Sequence, residues 1–325
     1  MSEGVGNSPV RSARSDRGGC AAKLTHRATV YADERTFLAA ATPFLRDGLA
    51  AGDVVLAVVP GPSLILLRQA LGSSDVEFRD AAHWYSQPTR TIAAYSAFID
   101  HNPGRRIRVL AEPGWAGGTP AEIAEWTRYE SIVNQAFAPI DASVLCLYDT
   151  RTTAADVLDG ALRAHPELLG ESGPRANAAY ADPATVCAEI DRRPLPPVPP
   201  GTPEMPVDDI DLRRLRAFVG DHAERHGISS ARLHDLLVAT TEVATNAIRH
   251  GLPPVTCRTW ADDGDIVVDV TDGGHWQPEG MPGFLPPDPF VRAGFGLWGV
   301  RMLCPLVQLR TGPDGTEIRL RVRAR

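Results

Sequence analysis

Glu242-Val-Ala-Thr-Asn246-Ala-Ile-Arg-His250-Gly251 decides how this chain is read. A carboxylate, a carboxamide and an imidazole recur at four-residue intervals inside an apolar run that begins near Leu233. Four residues is about one helical turn, so the three side chains project from one face of one helix. An apolar helix that carries such a row has to satisfy it, because unpaired buried polar groups are costly. The row either bonds to neighbouring backbone or faces a polar ligand.

Three later segments bear on that choice. Ile266-Val-Val-Asp-Val-Thr-Asp-Gly-Gly274 alternates as a strand does and stops at Asp272-Gly-Gly. Arg292-Ala-Gly294-Phe-Gly296-Leu-Trp-Gly299 is a glycine-rich turn that runs into an apolar helix, Leu297 to Leu303. Such a turn offers free backbone N–H groups to an anion, with the helix dipole helping. Gly315-Thr316 opens a last alternating strand, Glu317 to Arg323. Each glycine motif is weak alone, since glycine also marks ordinary turns. Their order over about 80 residues is more specific.

With these motifs in place, the segment 207–325 resembles the GHKL ATPase superfamily, and within it the compact anti-sigma-factor serine/threonine kinases. Glu242, Asn246 and His250 stand at that family's N-box. Asp272 and Gly274 stand at its first glycine box, Gly294, Gly296 and Gly299 at its second, with Leu297 beside them, and Thr316 at its last box. The resemblance implies a Bergerat ATP site on an α/β two-layer sandwich, with ATP and Mg²⁺ as cofactors. It implies Asn246 as the Mg²⁺ ligand and Glu242 as the group that orients or deprotonates the attacking hydroxyl. Asp272 would accept the adenine amino group with Thr316 nearby, and Gly294 and Gly296 would let backbone approach the phosphates. The chemistry suits these residue types, because Mg²⁺ prefers oxygen ligands and phosphoryl transfer needs positioning and charge neutralisation. One departure is Trp276, which stands where the first box has its last glycine. The segment from His275 to Val291 carries Pro278, Pro282, Pro286, Pro287 and Pro289, and reads as an irregular but stiffened lid.

Composition limits the rest. A chain of 325 residues is long enough for two cores, and its net charge of −7 disfavours nucleic-acid binding. No apolar run reaches the length of a membrane-spanning helix and no signal peptide is evident, so a cytoplasmic protein with no membrane partner is expected. The only lysine is Lys23, which excludes a Walker-type phosphate loop. The five cysteines (Cys20, Cys146, Cys187, Cys257, Cys304) lack Cys-x-x-Cys spacing and do not cluster with histidines along the chain. A disulfide framework or zinc site is therefore not expected, and Cys146, inside Ser143-Val-Leu-Cys-Leu-Tyr, reads as a small buried hydrophobe.

Residues 1–22 read as a disordered leader and 186–206 as a proline-rich linker, densest from Arg192 to Pro206 and expected to be an extended spacer. Between them, 23–185 alternate strand-like and helix-like segments, the pattern of an α/β layer with a parallel sheet. Strands are expected at Arg27–Tyr31, Asp53–Val59, Val76–Asp80, Arg106–Glu112 and Ala142–Tyr148. Helices are expected at 33–51, 62–71, 89–101, 120–136 and 154–165.

His26, Gly52-Asp53-Val-Val-Leu, Tyr148-Asp149 and Ala164-His165-Pro166-Glu167 give this half a resemblance to the methanogen/methylotroph sensory (MEDS) domain. That resemblance implies a RecA/KaiC-like topology without the phosphate loop, and a small-molecule ligand. Pro60-Gly61-Pro62 after the apolar strand fits the missing loop. Candidate sensory residues are His26, Glu112, Trp115, Tyr148 and Asp149, most of them where strands end. Together the two resemblances imply a kinase under sensory control, acting on a serine or threonine of an anti-sigma antagonist protein. A sigma factor would be its second partner, and a homodimer is what relatives often form. The alternatives are a histidine-kinase-like enzyme, for which His222 and His226 would be the phosphoacceptors, and a non-catalytic ATP-dependent switch.

Overall fold

The computed structural model describes residues 24–114, 118–208, 212–276, 282–286 and 296–324. The chain opens with β1 (Thr25–Tyr31), α1 (Glu34–Ala51), β2 (Val54–Val59) and α2 (Gly61–Leu71). Next come β3 (Glu77–Asp80), α3 (Ala81–Trp84), α4 (Pro88–Asp100), β4 (Ile107–Ala111) and α5 (Pro120–Ala136). Then follow β5 (Ala142–Asp149), α6 (Ala155–Arg163), β6 (Glu167–Gly170), β7 (Gly173–Ala176) and α7 (Pro183–Asp191). Local signals set these bounds. Asp33 caps α1 by accepting from the Thr36 N–H, and Gly52 ends it in the left-handed region at φ 75°. Thr119 and Glu122 form a capping box on α5.

These strands form one sheet of order β3-β2-β4-β5-β1-β6-β7, parallel except for the β6–β7 hairpin. The α/β reading of the sequence holds. The central strands are apolar runs because both faces are covered. Leu145 and Leu147 of β5 pack toward the α1 and α2 side, while Cys146 and Tyr148 face the opposite core under α4, α5 and α6. The sequence reading missed β6, β7 and α7. The first two strands are short, and their pattern carries no clear period. Helix α7 runs through the expected boundary at 185/186, and its Asp191 accepts from Arg128 of α5 at 2.7 Å.

The second half contains β8 (Glu204–Pro206), α8 (Leu212–Arg225), α9 (Ser230–His250), β9 (Thr256–Asp262), β10 (Asp265–Asp272), α10 (Gly296–Leu303), β11 (Leu306–Gly312) and β12 (Gly315–Arg323). Its five strands form an antiparallel sheet of order β11-β12-β10-β9-β8. One face packs against α8, α9 and α10 through Leu215, Val219, Leu236, Val243, Val268, Val300 and Leu320. The expected two-layer sandwich is therefore present.

The proline-rich segment expected as an extended spacer is in contact with the second sheet. Residues 204–206 enter the sheet as β8. Arg319 donates to the Pro196 carbonyl at 2.7 Å and Arg310 to the Arg193 carbonyl at 2.6 Å. The segment thus lies along the sheet face turned away from the helices. On that face Arg319, almost fully buried, bonds Asp269 at 3.0 Å and Glu317 at 2.8 Å over the ring of Trp260. A proline-rich strand has few N–H groups to offer, but its carbonyls remain acceptors, and arginine supplies the donors.

The two halves touch through specific bonds. Gln87 Nε2 donates to the Arg301 carbonyl at 2.8 Å, and Arg90 donates to the Met302 carbonyl at 2.7 Å. These bonds occupy carbonyls at the C-terminal end of α10 that the helix itself leaves free. Arg301 Nη1 reaches Glu125 of α5 at 3.1 Å.

Arg319→Ala removes the close cation from buried Asp269 and leaves only the longer contact to Arg258 at 3.8 Å. It is expected to lower stability by about 3 kcal/mol or more. Urea unfolding of the full chain followed by circular dichroism measures this, and a loss below about 1 kcal/mol would contradict a stabilising role for the pair.

Candidate functional site

The polar row lies on α9 as the spacing requires. Glu242 and Asn246 are half-buried and His250 is exposed. Asn246 Nδ2 donates to Glu242 Oε1 at 3.4 Å. That bond orients the carboxamide, because its N–H group is turned to the carboxylate and Oδ1 is left over as an acceptor. Asn246 and His250 line a cavity of about 310 Å³ together with Val243 and Ala247. Glu242 is one turn back, outside the lining, and joined to it through Asn246.

Across the cavity stands Asp272 at the end of β10. Its Oδ1 accepts from the Gly274 N–H at 2.7 Å and from the Leu252 N–H at 3.4 Å. These bonds hold the carboxylate in one orientation and use one oxygen, so Oδ2 retains its acceptor capacity. The surroundings are glycine for a steric reason. A Cβ at Gly251 would collide with the Asp272 carboxylate, and one at Gly315, at φ 125°, with the Asp272 carbonyl. Thr316 is paired with Asp272 in the β10–β12 register and donates to the Gly274 carbonyl at 2.9 Å. Asp272, Gly274 and Thr316 thus form one unit on the cavity wall, with Val270 and Ile318 as its apolar floor.

The glycine-rich turn is described only in part. Gly294 lies outside the described residues. Gly296 opens α10 at φ 50°, Leu297 lines the cavity, and Gly299 lies within the helix but not on the wall. Trp276, the departure noted in the sequence, also lines the cavity and is 40% exposed. Of the lid, Pro282 borders the cavity. Phe284, two residues on, is buried in the first half's core with Ile92, Tyr129, Val133 and Phe137. The Arg301 guanidinium sits 4.0 Å above its ring and donates to the Pro282 carbonyl at 3.2 Å.

The sensory candidates separate into two places. Glu112 and Asp149 are at the sheet's C-terminal edge. Glu112 accepts from the Tyr31 hydroxyl at 2.7 Å, and burial holds its carboxyl above the usual range. Asp149 is paired with Arg151 at 2.6 Å, which holds its carboxyl below the usual range. Trp115 lies outside the described residues.

His26 and Tyr148 are instead deep in the core, beside Glu130, Cys146 and His165. Here the sequence reading requires correction, because histidines do cluster with a cysteine. Residues 26, 130, 146 and 165 are far apart in the chain, and only the β1–β5 pairing and the packing of α5 and α6 bring them together. Cys146 is buried as expected, but against polar partners. Burial pushes the Cys146 thiol well up and the Glu130 carboxyl to about 8, while it lowers His26 to about 4. In each case burial favours the uncharged form. Glu130 gave no sequence signal, since a single glutamate on a helix is ordinarily a solvated surface residue.

Comparison with known proteins follows this division. Residues 25–166 match the family described as "MEDS: MEthanogen/methylotroph, DcmR Sensory domain". Residues 205–322 match "Histidine kinase-like ATPase domain". No curated protein matches the chain. Among solved structures, it is similar to the RsbU and RsbW domains of a Mycobacterium tuberculosis protein at 21% identity and a TM-score of 0.30, covering 38% of this chain and 32% of that one. The histidine kinase domain of the blue-light activated histidine kinase of Erythrobacter litoralis EL346 is similar at 19% identity and a TM-score of 0.26, covering 35% of this chain and 59% of that one. The chain thus spans between a third and three fifths of these neighbours.

Gly251→Ala places a methyl group against the Asp272 carboxylate. It is expected to cost about 1–3 kcal/mol of stability and to displace Asp272. Thermal unfolding of the full chain tests this, and an unchanged Tm would show that the cradle yields without strain.

Proposed function

We propose that this chain, a MEDS domain joined to a histidine kinase-like ATPase domain, is an ATP-dependent serine/threonine protein kinase controlled by its sensory half. Its substrate in this reading is an anti-sigma antagonist protein, and a sigma factor is its second partner. The observation that carries the nucleotide part is Asp272. Its carboxylate is fixed in a cradle of Gly251, Gly274 and Gly315, with one oxygen to spare, on the wall of a cavity whose opposite edge carries Asn246.

In this proposal Asp272 Oδ2 accepts the amino group of adenine, while Val270, Ile318 and Leu297 cover the ring. Trp276 offers an aromatic face beside it in place of the missing glycine. Asn246 would hold Mg²⁺ through Oδ1, the atom that its bond to Glu242 leaves over. That ion would neutralise charge on the phosphates. Glu242 lies one turn behind Asn246, outside the adenine end of the cavity, where a substrate hydroxyl would come in. Its carboxylate would orient that hydroxyl and accept its proton as the phosphoryl group transfers. The N-terminus of α10, opened by Gly296, would offer backbone N–H groups to the phosphates.

The geometry of α8 weighs against the histidine-kinase alternative. Leu215, Val219 and Ala223 bury this helix in the ATPase core, and His222 is buried with them. His226 is stacked on His222 and bonded to the His222 carbonyl. A phosphoacceptor histidine has to reach the γ-phosphate, and a helix fixed in this way does not swing.

Sensory control would pass through the contact between the halves. Helix α5 carries Glu125, which holds Arg301. It also carries Tyr129 and Val133, which seat Phe284. Arg301 and Phe284 in turn fix α10 and Pro282, both on the nucleotide cavity.

Calorimetry with Mg²⁺ and ATP is expected to show binding that Asn246→Ala weakens at least tenfold, or about 1.4 kcal/mol. No Asn246 dependence would remove the metal role. Glu242→Ala is expected to keep ATP affinity within about twofold and to lower transfer of labelled phosphate to an antagonist protein by about a hundredfold or more. Equal transfer would favour the binding switch over the kinase. Phe284→Ala, which frees the lid anchor, is expected to weaken ATP binding by about threefold or more, on the order of 0.6 kcal/mol. Unchanged binding would argue against coupling through this contact.

A further inference from the structure

We propose that the N-terminal half holds one divalent transition-metal ion, bound by Nε2 of His26, Nε2 of His165, Sγ of Cys146 and a carboxylate oxygen of Glu130. The four donors come from β1, from the turn after α6, from β5 and from α5. All four residues are buried, and their donor atoms lie within 4.8 Å of one another.

The spacing is that of a ligand set rather than of a hydrogen-bonded network. His26 Nε2 is 3.5 Å from Cys146 Sγ and 3.8 Å from Glu130 Oε2, and His165 Nε2 is 3.7 Å from the same Glu130 oxygen. The two nitrogen–oxygen distances are too long for hydrogen bonds. With metal–ligand bonds of about 2.0–2.3 Å, tetrahedral donors stand roughly 3.3–3.7 Å apart. Only the Cys146 Sγ–His26 Nε2 contact is short enough for a hydrogen bond to sulfur; the carboxylate and the two imidazoles face a common centre without bonding one another.

The tautomers support the same reading. Nδ1 of His26 is 3.0 Å from Asn134 Oδ1, and Nδ1 of His165 is 2.7 Å from the Ala161 carbonyl. Both partners are acceptors, so each Nδ1 carries the proton and each Nε2 presents a lone pair inward. This is how ligating histidines are ordinarily held. His165 Nε2, in a fully buried residue, has no hydrogen-bond partner among the described residues. An orphaned buried acceptor calls for an explanation, and an ion supplies one. The Tyr148 hydroxyl lies beside the Glu130 carboxylate.

Charge and donor type select the ion. A thiolate and a carboxylate balance a 2+ ion, which leaves a neutral unit in an apolar core. One sulfur, two imidazoles and one oxygen suit Zn²⁺, Co²⁺ or Fe²⁺ and not the oxygen-seeking Mg²⁺ or Ca²⁺. His26, Glu130 and Cys146 also line an apolar chamber with Tyr95, Phe98 and Val109, so one side of the ion would face that chamber. Glu130 shares α5 with Glu125, Tyr129 and Val133, which ties the site to the contact between the halves.

The test is titration of the chelator-stripped full chain, free of nucleotide, with Co²⁺ alone. One ion per chain is expected, with the visible ligand-field bands of four-coordinate cobalt and a near-ultraviolet thiolate charge-transfer band, both displaced by Zn²⁺. Cys146→Ser should abolish the charge-transfer band, and His165→Ala should weaken Co²⁺ at least tenfold. Circular dichroism and ATP calorimetry on each variant check folding. Asn134→Ala leaves all four donors in place and should weaken Co²⁺ about tenfold by releasing the His26 tautomer. No stoichiometric binding by the folded wild type overturns the proposal. So does a cobalt spectrum that survives in Cys146→Ser, or an affinity unchanged in Asn134→Ala.

Discussion

The arrangement of this molecule depends on one buried cation. Arg301 projects from α10 into the space between the halves, where its guanidinium meets Glu125 of α5, the Pro282 and Val307 carbonyls and the ring of Phe284. Burial lowers its pKa, and the Glu125 carboxylate opposes that shift. A charge removed from water is stable only where its donors are met. Here they are met by three different segments, so none of these can move without leaving a donor unpaired. Pro282 and Phe284, helix α10 and helix α5 are thereby fixed to one another.

That constraint explains why the two cavities are related. The apolar chamber of the first half is walled by Tyr129 and Val133, and the same two residues seat Phe284 from the lid of the second. Pro282, on the cavity lined by Asn246 and Asp272, is held by the Arg301 side chain. Cores are close-packed, and a change in one wall is passed to its neighbours rather than absorbed. The linker adds a second tie. Pro196 and Arg193 offer carbonyls to arginines of the ATPase sheet, so the join between the halves is docked along its length.

Much of the fold and one of the two sites were legible in the chain. Glu242, Asn246 and His250 fall on one helical face because a four-residue spacing leaves no other option, and Asp272-Gly-Gly marks a strand end by local chemistry. The central strands of the first sheet announced themselves as apolar runs. The hairpin of β6 and β7, helix α7 and the docked linker did not, because short edge elements are specified by what they pack on. Trp115 and Gly294 lie outside the described residues.

The sequence by itself determined the elements whose information is local: capped helices, buried strands, a polar row at helical pitch and glycines where a side chain would collide. Only the tertiary structure decided which distant residues meet. His26, Glu130, Cys146 and His165 share one point because β1 pairs in parallel with β5 while α5 and α6 close over the same face. Arg301 finds Glu125 because the halves are docked. Periodicity along a chain records which face a residue occupies, and it carries nothing about which other face will be folded against it.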